Sequence, residues 1–117
     1  MPPALHREIA MLCLDTVEGV AAQLAAIGHD VRLRLLYRLT TGPEYVTRLA
    51  KVVGAPATNV CQHLRVMRNA GLLDCRRKGQ KMLYRLRPEI LTPGSGDTLA
   101  TLAIGPYKMQ ILADNGD

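Results

Sequence analysis

The sequence predicts an α+β domain, mainly helical, that carries a basic β-hairpin, and three observations lead to this prediction. The chain has 117 residues, roughly the length that one hydrophobic core needs. Up to Gly71, apolar residues recur every three or four positions, which is the spacing of helices. After Gly71, apolar and polar residues alternate, which is the spacing of strands. We therefore expect residues 1–117 to form a single domain.

The composition is that of a globular protein, with 48% hydrophobic and 21% charged residues. There is no run of about 18 apolar residues, and the N-terminus lacks the pattern of a secretory signal. We therefore expect a cytoplasmic protein with no membrane partner. Cys13, Cys61 and Cys75 form an odd set without C-x-x-C spacing, which predicts reduced thiols rather than disulfides or a zinc knuckle.

Positive charge is concentrated in the middle of the chain, although the net charge is only +5. From Arg32 to Arg87, thirteen Lys or Arg accompany two acidic residues, a net charge of +11, whereas the rest of the chain carries −6. A basic block within a domain is typical of a protein that meets a phosphate backbone. The alternative is a charged surface that only faces water.

Residues 3–27 are predicted to form an N-terminal helix that ends at Gly28, because apolar residues recur at helical spacing. Asp15 and Glu18 form a D-x-x-E pattern that favours the start of a second helix, so a break near Leu14 is the alternative. The apolar stripe is longer than a small domain can cover. We therefore expect part of this helix to be a subunit contact.

Two short helices are predicted next. His29 or Asp30 can cap a helix that runs to about Leu39, and Pro43 suits the first residue of a third helix, which Gly54 ends. The inward residues are predicted to be Val31, Leu35, Leu36, Leu39, Val46, Leu49, Ala50 and Val53. The arginines predicted to point largely outward are Arg32, Arg34 and Arg38.

A fourth helix is predicted over residues 56–69, directly after a tight turn at 54–56. Two helices joined by a tight turn that contains glycine are the outline of a helix-turn-helix. At 100° per residue, the apolar face is formed by Ala57, Val60, Leu64 and Met67. The opposite face is polar and is formed by Thr58, Gln62, Arg65 and Asn69.

The alternating pattern after Gly71 predicts a basic hairpin, with strands over 72–77 and 81–87 and a turn at 78–80. Residues 92–96 read as a loop by composition. Three helices, a polar-faced helix and a basic hairpin follow one another in the order found in a winged helix-turn-helix. We place the core of this domain at residues 30–91, after the N-terminal helix.

The segment 97–113 is open to two interpretations. Asp97 could cap a helix over 98–104, whereas Gly105–Pro106 would break such a helix and the alternation in 107–112 favours a strand. If the segment forms strands, they could extend the sheet of the hairpin or contact a partner subunit.

The stretches 28–36, 49–54 and 60–72, with Tyr84-Arg85-Leu86 on the hairpin, resemble the ArsR-type family of bacterial repressors over residues 24–91. The resemblance implies a homodimeric transcriptional regulator that binds DNA, usually a repressor released from its operator by an inducer. It also implies an inverted-repeat operator with half-sites about one helical turn apart. Family members usually end in a long helix that pairs across the dimer, which Gly105–Pro106 forbids here.

The candidate DNA contacts lie on the fourth helix and on the hairpin. The polar side chains suited to base edges belong to Thr58, Asn59, Gln62 and Arg65, of which Arg65 could instead bind phosphate. The cations suited to phosphate or the minor groove are Arg76, Arg77, Lys78 and Lys81. Thr58 and Asn59 have the alternative role of capping the helix. His63 is a further candidate contact, although a packed structural histidine is the simpler interpretation.

Metal sensing is not predicted. Many family members use a C-x-C pair on the helix before the recognition helix, and these positions are Tyr45 and Thr47 here. A second family site needs Asp and His near the C-terminus, and no histidine follows His63. We therefore expect no cofactor. Cys61 and Cys75 are candidates for a redox switch, with half-buried packing as the simpler explanation for Cys61.

Two other classes of function, an enzyme and a protein-binding module, are alternatives to DNA binding. The sequence has no phosphate-binding glycine loop, and Glu44 and Asp74 are too isolated to suggest an acid–base pair, so we expect no enzyme. A winged-helix module that binds protein is the alternative function, but the predicted exposed face is polar and basic rather than apolar or acidic. Charge alone does not distinguish duplex DNA from duplex RNA.

Overall fold

Four helices and six short strands make up the part of the chain that the structure, a computed structural model, describes, residues 16–113. The helices are α1 (Val17–Ile27), α2 (Asp30–Leu39), α3 (Val46–Val53) and α4 (Ala57–Asn69). The strands are β1 (Glu44–Tyr45), β2 (Leu73–Lys78), β3 (Lys81–Leu86), β4 (Leu91–Pro93), β5 (Thr98–Ile104) and β6 (Tyr107–Leu112). This architecture confirms the predicted winged helix-turn-helix. No helix within residues 16–113 is long and apolar enough to cross a bilayer.

Helix α1 begins at Val17, where the hydroxyl of Thr16 accepts a hydrogen bond from the Gly19 N–H at 3.1 Å. The backbone of Thr16 is extended, so the predicted continuous helix over 3–27 is wrong at this point. The helix ends before Gly28, as predicted. Residues 3–15, and with them the proposed break near Leu14, lie outside the described residues.

Helix α2 starts where the sequence predicts, because Nδ1 of His29 and Oδ1 of Asp30 both accept from the Val31 N–H. The predicted start of the third helix at Pro43 is wrong. Glu44 and the residue after it instead form β1, because Glu44 pairs with Tyr84 of β3. The two residue pairs of this ladder form only because α3 starts later, at Val46.

The helix-turn-helix consists of α3, a short turn and α4. Gly54 ends α3 in the left-handed conformation with φ 69°, which costs glycine little, and its N–H donates to the Ala50 carbonyl. Helix α4 buries Val60, Leu64 and Met67, as predicted. Ala57, which is predicted to lie on the same apolar face, is exposed.

Strands β2 and β3 form the wing, a hairpin closed by Gly79 and Gln80, and β1 lies on the other side of β3. Residues that face each other in the register share one side of the sheet. Leu73, Tyr84 and Leu86 therefore point to the core and are buried. The opposite side of the hairpin faces solvent.

The C-terminal segment forms a second, separate sheet in the order β4-β5-β6. The strand prediction for 107–112 is confirmed, and the helix alternative for 98–104 is wrong, because every second residue of β5 from Ala100 to Ile104 is buried. Residues 92–96 were predicted as loop, yet β4 includes Thr92 and Pro93. This sheet does not extend the wing, and it shares the hydrophobic core with the helices through Leu102 and Ile104.

Candidate nucleic-acid interface

The solvent face of α4 carries the polar side chains that the sequence predicts for base contacts. Val60, Leu64 and Met67 are completely buried, and their burial fixes which side of the helix points outward. The four exposed candidates are Thr58, Asn59, Gln62 and Arg65. The residue before α4 is Pro56, and neither Thr58 nor Asn59 uses its side chain in a hydrogen bond with another described residue. Their side chains are therefore available to a ligand.

The wing places its four predicted cations on exposed positions around the hairpin turn. The register pairs Lys78 with Lys81 and Arg76 with Leu83 on the solvent side, whereas Arg77 lies opposite Met82 on the side of Tyr84. Within residues 16–113, none of the four forms an ion pair. The ammonium group of Lys81 lies 5.5 Å from the centre of the Tyr45 ring.

Acidic residues neutralise the base of the wing but not its tip. Asp74 pairs with Arg85 at 3.3 Å and with Arg87 at 3.6 Å, and Arg87 also pairs with Glu89. These pairs lie at the end of the hairpin nearest the core. Uncompensated positive charge is consequently concentrated at the hairpin turn, where it would attract a polyanion.

A polar cluster connects α2 to the inner edge of α4. Arg32 donates from Nε to the Ala26 carbonyl at 2.6 Å, and its Nη1 lies 3.3 Å from Nδ1 of His63. The ring of His63 also contacts the ring of His29, with centroids 4.5 Å apart. Burial, followed by the nearby His29 and Arg32, lowers the pKa of His63. His63 is thus half-buried at the edge of the exposed face, and Arg32 does not point outward as predicted.

Glu44 is a structural residue whose role the sequence does not reveal. It is buried, with 9% of its surface exposed, and its Oε1 lies 2.5 Å from Nη2 of Arg38 and 3.7 Å from Nε of Arg48. Arg38 is therefore turned towards β1 and is only half exposed, contrary to the prediction. One feature of the sequence could have indicated this role: Glu44 is one of only two acids between Arg32 and Arg87. An acid among so many cations is suited to a buried ion pair.

The two described cysteines both lie near Tyr84, but only Cys75 is its neighbour in the sheet. Cys75 faces Tyr84 across the wing, and burial together with a hydrogen bond to this thiol raises the pKa of the Tyr84 hydroxyl. Cys75 also lines a cleft of about 380 Å³ with Arg68, Arg76 and Arg85. Cys61 is half-buried on α4, and both thiols are free. Sequence reasoning missed Arg68, an exposed cation in the last turn of α4.

The two positions at which the family resemblance implies a thiolate pair carry hydroxyl side chains instead of thiols. Tyr45 precedes the first turn of α3, and Thr47 lies within that turn and is exposed. Within residues 16–113, no three His, Cys, Asp or Glu residues are grouped so that they could hold a metal ion.

A polar helix face beside a cationic hairpin, both carried on one core, defines a winged helix-turn-helix DNA-binding protein. The family model for "Bacterial regulatory protein, arsR family" matches residues 29–74. The transcriptional regulator NmtR of Mycobacterium tuberculosis is 37% identical over 81 residues, which cover 69% of this chain and 68% of NmtR. The chain belongs to the ArsR family of bacterial transcriptional regulators, and it is not an enzyme.

Solved structures agree with this assignment. A homodimeric winged helix-turn-helix DNA-binding domain from Mycobacterium bovis is 29% identical with a TM-score of 0.60, covering 71% of this chain and 72% of the domain. The transcriptional repressor BigR from Xylella fastidiosa is 28% identical with a TM-score of 0.56, covering 76% of this chain and 84% of BigR.

Proposed function

We propose that this regulator is a cytoplasmic, homodimeric repressor that binds an inverted-repeat operator in duplex DNA. The observation that carries the proposal is the exposed polar side of α4 together with the uncompensated cations of the wing. Similarity to a homodimeric DNA-binding domain and to a repressor supports the assembly and the direction of regulation.

In this proposal the two parts of the surface have different tasks. Thr58, Asn59 and Gln62 occupy the N-terminal half of α4 and read base edges in the major groove. Arg65 follows one turn later and binds either a base or a phosphate. The wing cations neutralise phosphates or enter the minor groove, which supplies affinity but little sequence information.

His63 has a positioning role in this proposal, because Arg32 and His29 occupy its ring on the inner edge of α4. The dimer contact is assigned to α1. Of the eleven residues of this helix only Glu18 is charged, and its outward side includes Val17 and Leu24, which are both exposed. No metal or other cofactor is assigned to DNA binding.

A fluorescence-anisotropy titration tests the proposal. The full chain is titrated against DNA from upstream of its own gene and against a scrambled duplex of the same length, across a series of salt concentrations. We expect tight binding that prefers the upstream DNA and weakens steeply with salt. The corresponding RNA duplex should bind more weakly, because its deep, narrow major groove does not admit α4.

Equal affinity for the two DNA duplexes, or no binding at low salt, would contradict the specific-repressor proposal. It would instead favour the alternative that the winged helix is a protein-interaction module.

A further inference from the structure

The cleft that contains Cys75 lies between the last turn of α4 and the wing, and it has a volume of about 380 Å³. Its lining includes three arginines from three different elements, namely Arg68 of α4, Arg76 of β2 and Arg85 of β3. The other lining residues are Pro43, Asp74, Cys75 and Leu83. Sites for small molecules are clefts of roughly 300–1,000 Å³, so this cleft is large enough to hold one.

Most of the positive charge in the cleft has no acidic partner. Within residues 16–113, neither Arg68 nor Arg76 forms an ion pair. Asp74 is the one carboxylate of the lining, and it pairs with Arg85 at 3.3 Å and with Arg87, outside the cleft, at 3.6 Å. Three cations and one carboxylate leave the lining with a net charge of +2. Because like charges repel each other, the cleft is suited to an anion with two negative charges.

The residue types of the lining favour an organic phosphate as this anion. A guanidinium group presents paired N–H donors that match the oxygens of a phosphate group. A phosphate monoester carries a charge of about −1.5 to −2 at pH 7, which balances the net charge of the lining. Pro43 and Leu83 add apolar surface against which an organic substituent can pack.

The cleft is separate from the part of α4 that is assigned to base edges. Thr58 and Arg68 are ten residues apart, which corresponds to about 15 Å along a helix. Arg76, in contrast, belongs to both surfaces, because it lines the cleft and is one of the wing cations assigned to DNA. A ligand that occupies Arg76 therefore removes a cation from the surface that faces DNA.

We propose that this cleft binds a small phosphate monoester and that the bound ligand lowers the affinity of the regulator for DNA. The inference rests on the proposed DNA binding and adds an inducer site to it. Arg68 and Arg76 bind the phosphate group of the ligand. The loss of Arg76 and the added negative charge then weaken the contact between the wing and the DNA backbone. By linkage, bound DNA lowers the affinity for the ligand by the same factor.

Isothermal titration calorimetry of the full chain, without DNA and at constant ionic strength, tests the binding site. The three probes are phenyl phosphate, inorganic phosphate and benzyl alcohol, which supply both parts of the ligand, the phosphate alone and the ring alone. We expect phenyl phosphate to bind saturably at one site per chain, with a Kd below about 1 mM. Inorganic phosphate should bind more weakly, and benzyl alcohol should give no saturable binding.

Two arginine variants locate the site. Arg68→Ala should weaken the binding of phenyl phosphate about tenfold or more, because it removes a charge-assisted contact from the cleft. Arg34→Ala removes an exposed arginine of α2 that does not line the cleft, and it should bind phenyl phosphate as the wild type does. Far-UV circular dichroism shows whether each variant folds.

Anisotropy titrations with the upstream DNA test the effect of the ligand on the regulator. Saturating phenyl phosphate should weaken DNA binding by the wild type about fivefold or more, relative to sodium chloride of the same ionic strength. Arg34→Ala should show the same ratio of affinities with and without phenyl phosphate, whereas Arg68→Ala should show a ratio close to one.

The inference is overturned if the wild type does not bind phenyl phosphate saturably, or if a folded Arg68→Ala variant binds it equally well. If Arg68→Ala weakens DNA binding while the wild type binds no phenyl phosphate, the cleft is part of the DNA interface instead. Binding of phenyl phosphate that leaves the affinity for DNA unchanged overturns the inducer role. Because the calorimetry contains no DNA, its result is independent of the proposed function, which the comparison of the two DNA duplexes tests separately.

Discussion

The imidazole rings of His29 and His63 lie with their centroids 4.5 Å apart and their planes inclined by 47°, although the two residues are 34 positions apart in the chain. His29 caps α2 through Nδ1, and His63 lies on the inner edge of α4. The start of α2 and the proposed recognition helix are thereby joined by two titratable rings and by the guanidinium of Arg32.

This contact predicts a loss of stability in acid. The pKa of His63 is lowered in the folded protein by burial, His29 and Arg32, with Asp30 acting in the opposite direction. The unfolded chain therefore binds more protons as the pH falls from about 7.5 through the unfolded value near 6.5, and the free energy of unfolding should decrease there. Urea unfolding at pH 7.5 and 5.5 should show a smaller decrease for His63→Gln than for the wild type. An equal decrease would assign the acid sensitivity to other groups.

The wing cations should supply affinity rather than specificity. Replacing Arg76, Arg77 and Lys78 together by Ala should weaken binding to the upstream and the scrambled DNA alike. The slope of log K against log salt should become shallower by about 2 to 3, because each neutralised phosphate contributes about 0.9. Anisotropy titrations at several salt concentrations measure both effects. Lys108→Ala removes a cation from β6 and should leave the slope unchanged.

Gln62 should affect sequence preference instead. Gln62→Ala is expected to weaken binding to the upstream DNA by about 1–3 kcal/mol, the usual value of a good bidentate base contact, with little change for the scrambled duplex. Competition titrations with both duplexes directly measure the ratio of the affinities for the upstream and the scrambled DNA. A uniform loss on the two duplexes would place Gln62 on the phosphate backbone.

Glu44 should be important for folding. Replacing it by Ala leaves Arg38 half-buried without its carboxylate, and we expect a loss of about 1–3 kcal/mol in the free energy of unfolding. Glu89→Ala removes a carboxylate that also pairs with an arginine, but at an exposed site, and should cost less than about 1 kcal/mol. Chemical denaturation measures the free energy of unfolding of both variants. Similar losses would show that the burial of Glu44 adds nothing to its ion pair.

Of the two cysteines within residues 16–113, Cys75 should react faster than Cys61. Cys75 lines a cleft with three arginines and one acid, Asp74, and the net positive charge should raise the local concentration of an anionic disulfide reagent. Cys61 is not among the residues that line this cleft. Mass spectrometry should find Cys75 modified before Cys61 by 5,5′-dithiobis(2-nitrobenzoate). If modification alters DNA binding, Cys75→Ser should abolish the effect and Cys61→Ser should keep it. The reverse order of modification would remove Cys75 as the candidate switch.

Local patterns explain why much of the fold could be predicted. The turn at Gly54, the buried face of α4 and the alternation in β2 and β3 depend on residues close together in sequence, and their periodicity determines which side chains face the core. The same periodicity predicts which residues of α4 are exposed. The candidate contacts on α4 and the wing therefore follow from the sequence once the helix and the hairpin are recognised.

The predictions from sequence were wrong where a contact with a residue distant in the chain overrides the local pattern. Pro43 suits a helix start, yet Glu44 pairs with β3 and delays α3 to Val46. On an isolated helix the side chains of Arg32 and Arg38 would point to solvent. In the folded protein Arg32 contacts His63 and Arg38 forms an ion pair with Glu44.

The sequence by itself determined the class of protein, the order of its elements and the basic character of the wing, because these depend on periodicity, turn residues and charge along the chain. Only the tertiary structure decided that the C-terminal segment forms a separate sheet on the common core, that its turn packs on α1, and that Cys75 rather than Cys61 lines the cleft with Arg68, Arg76 and Arg85. Each of these features depends on contacts between residues far apart in the chain. The free energy of such contacts cannot be derived from a local sequence pattern.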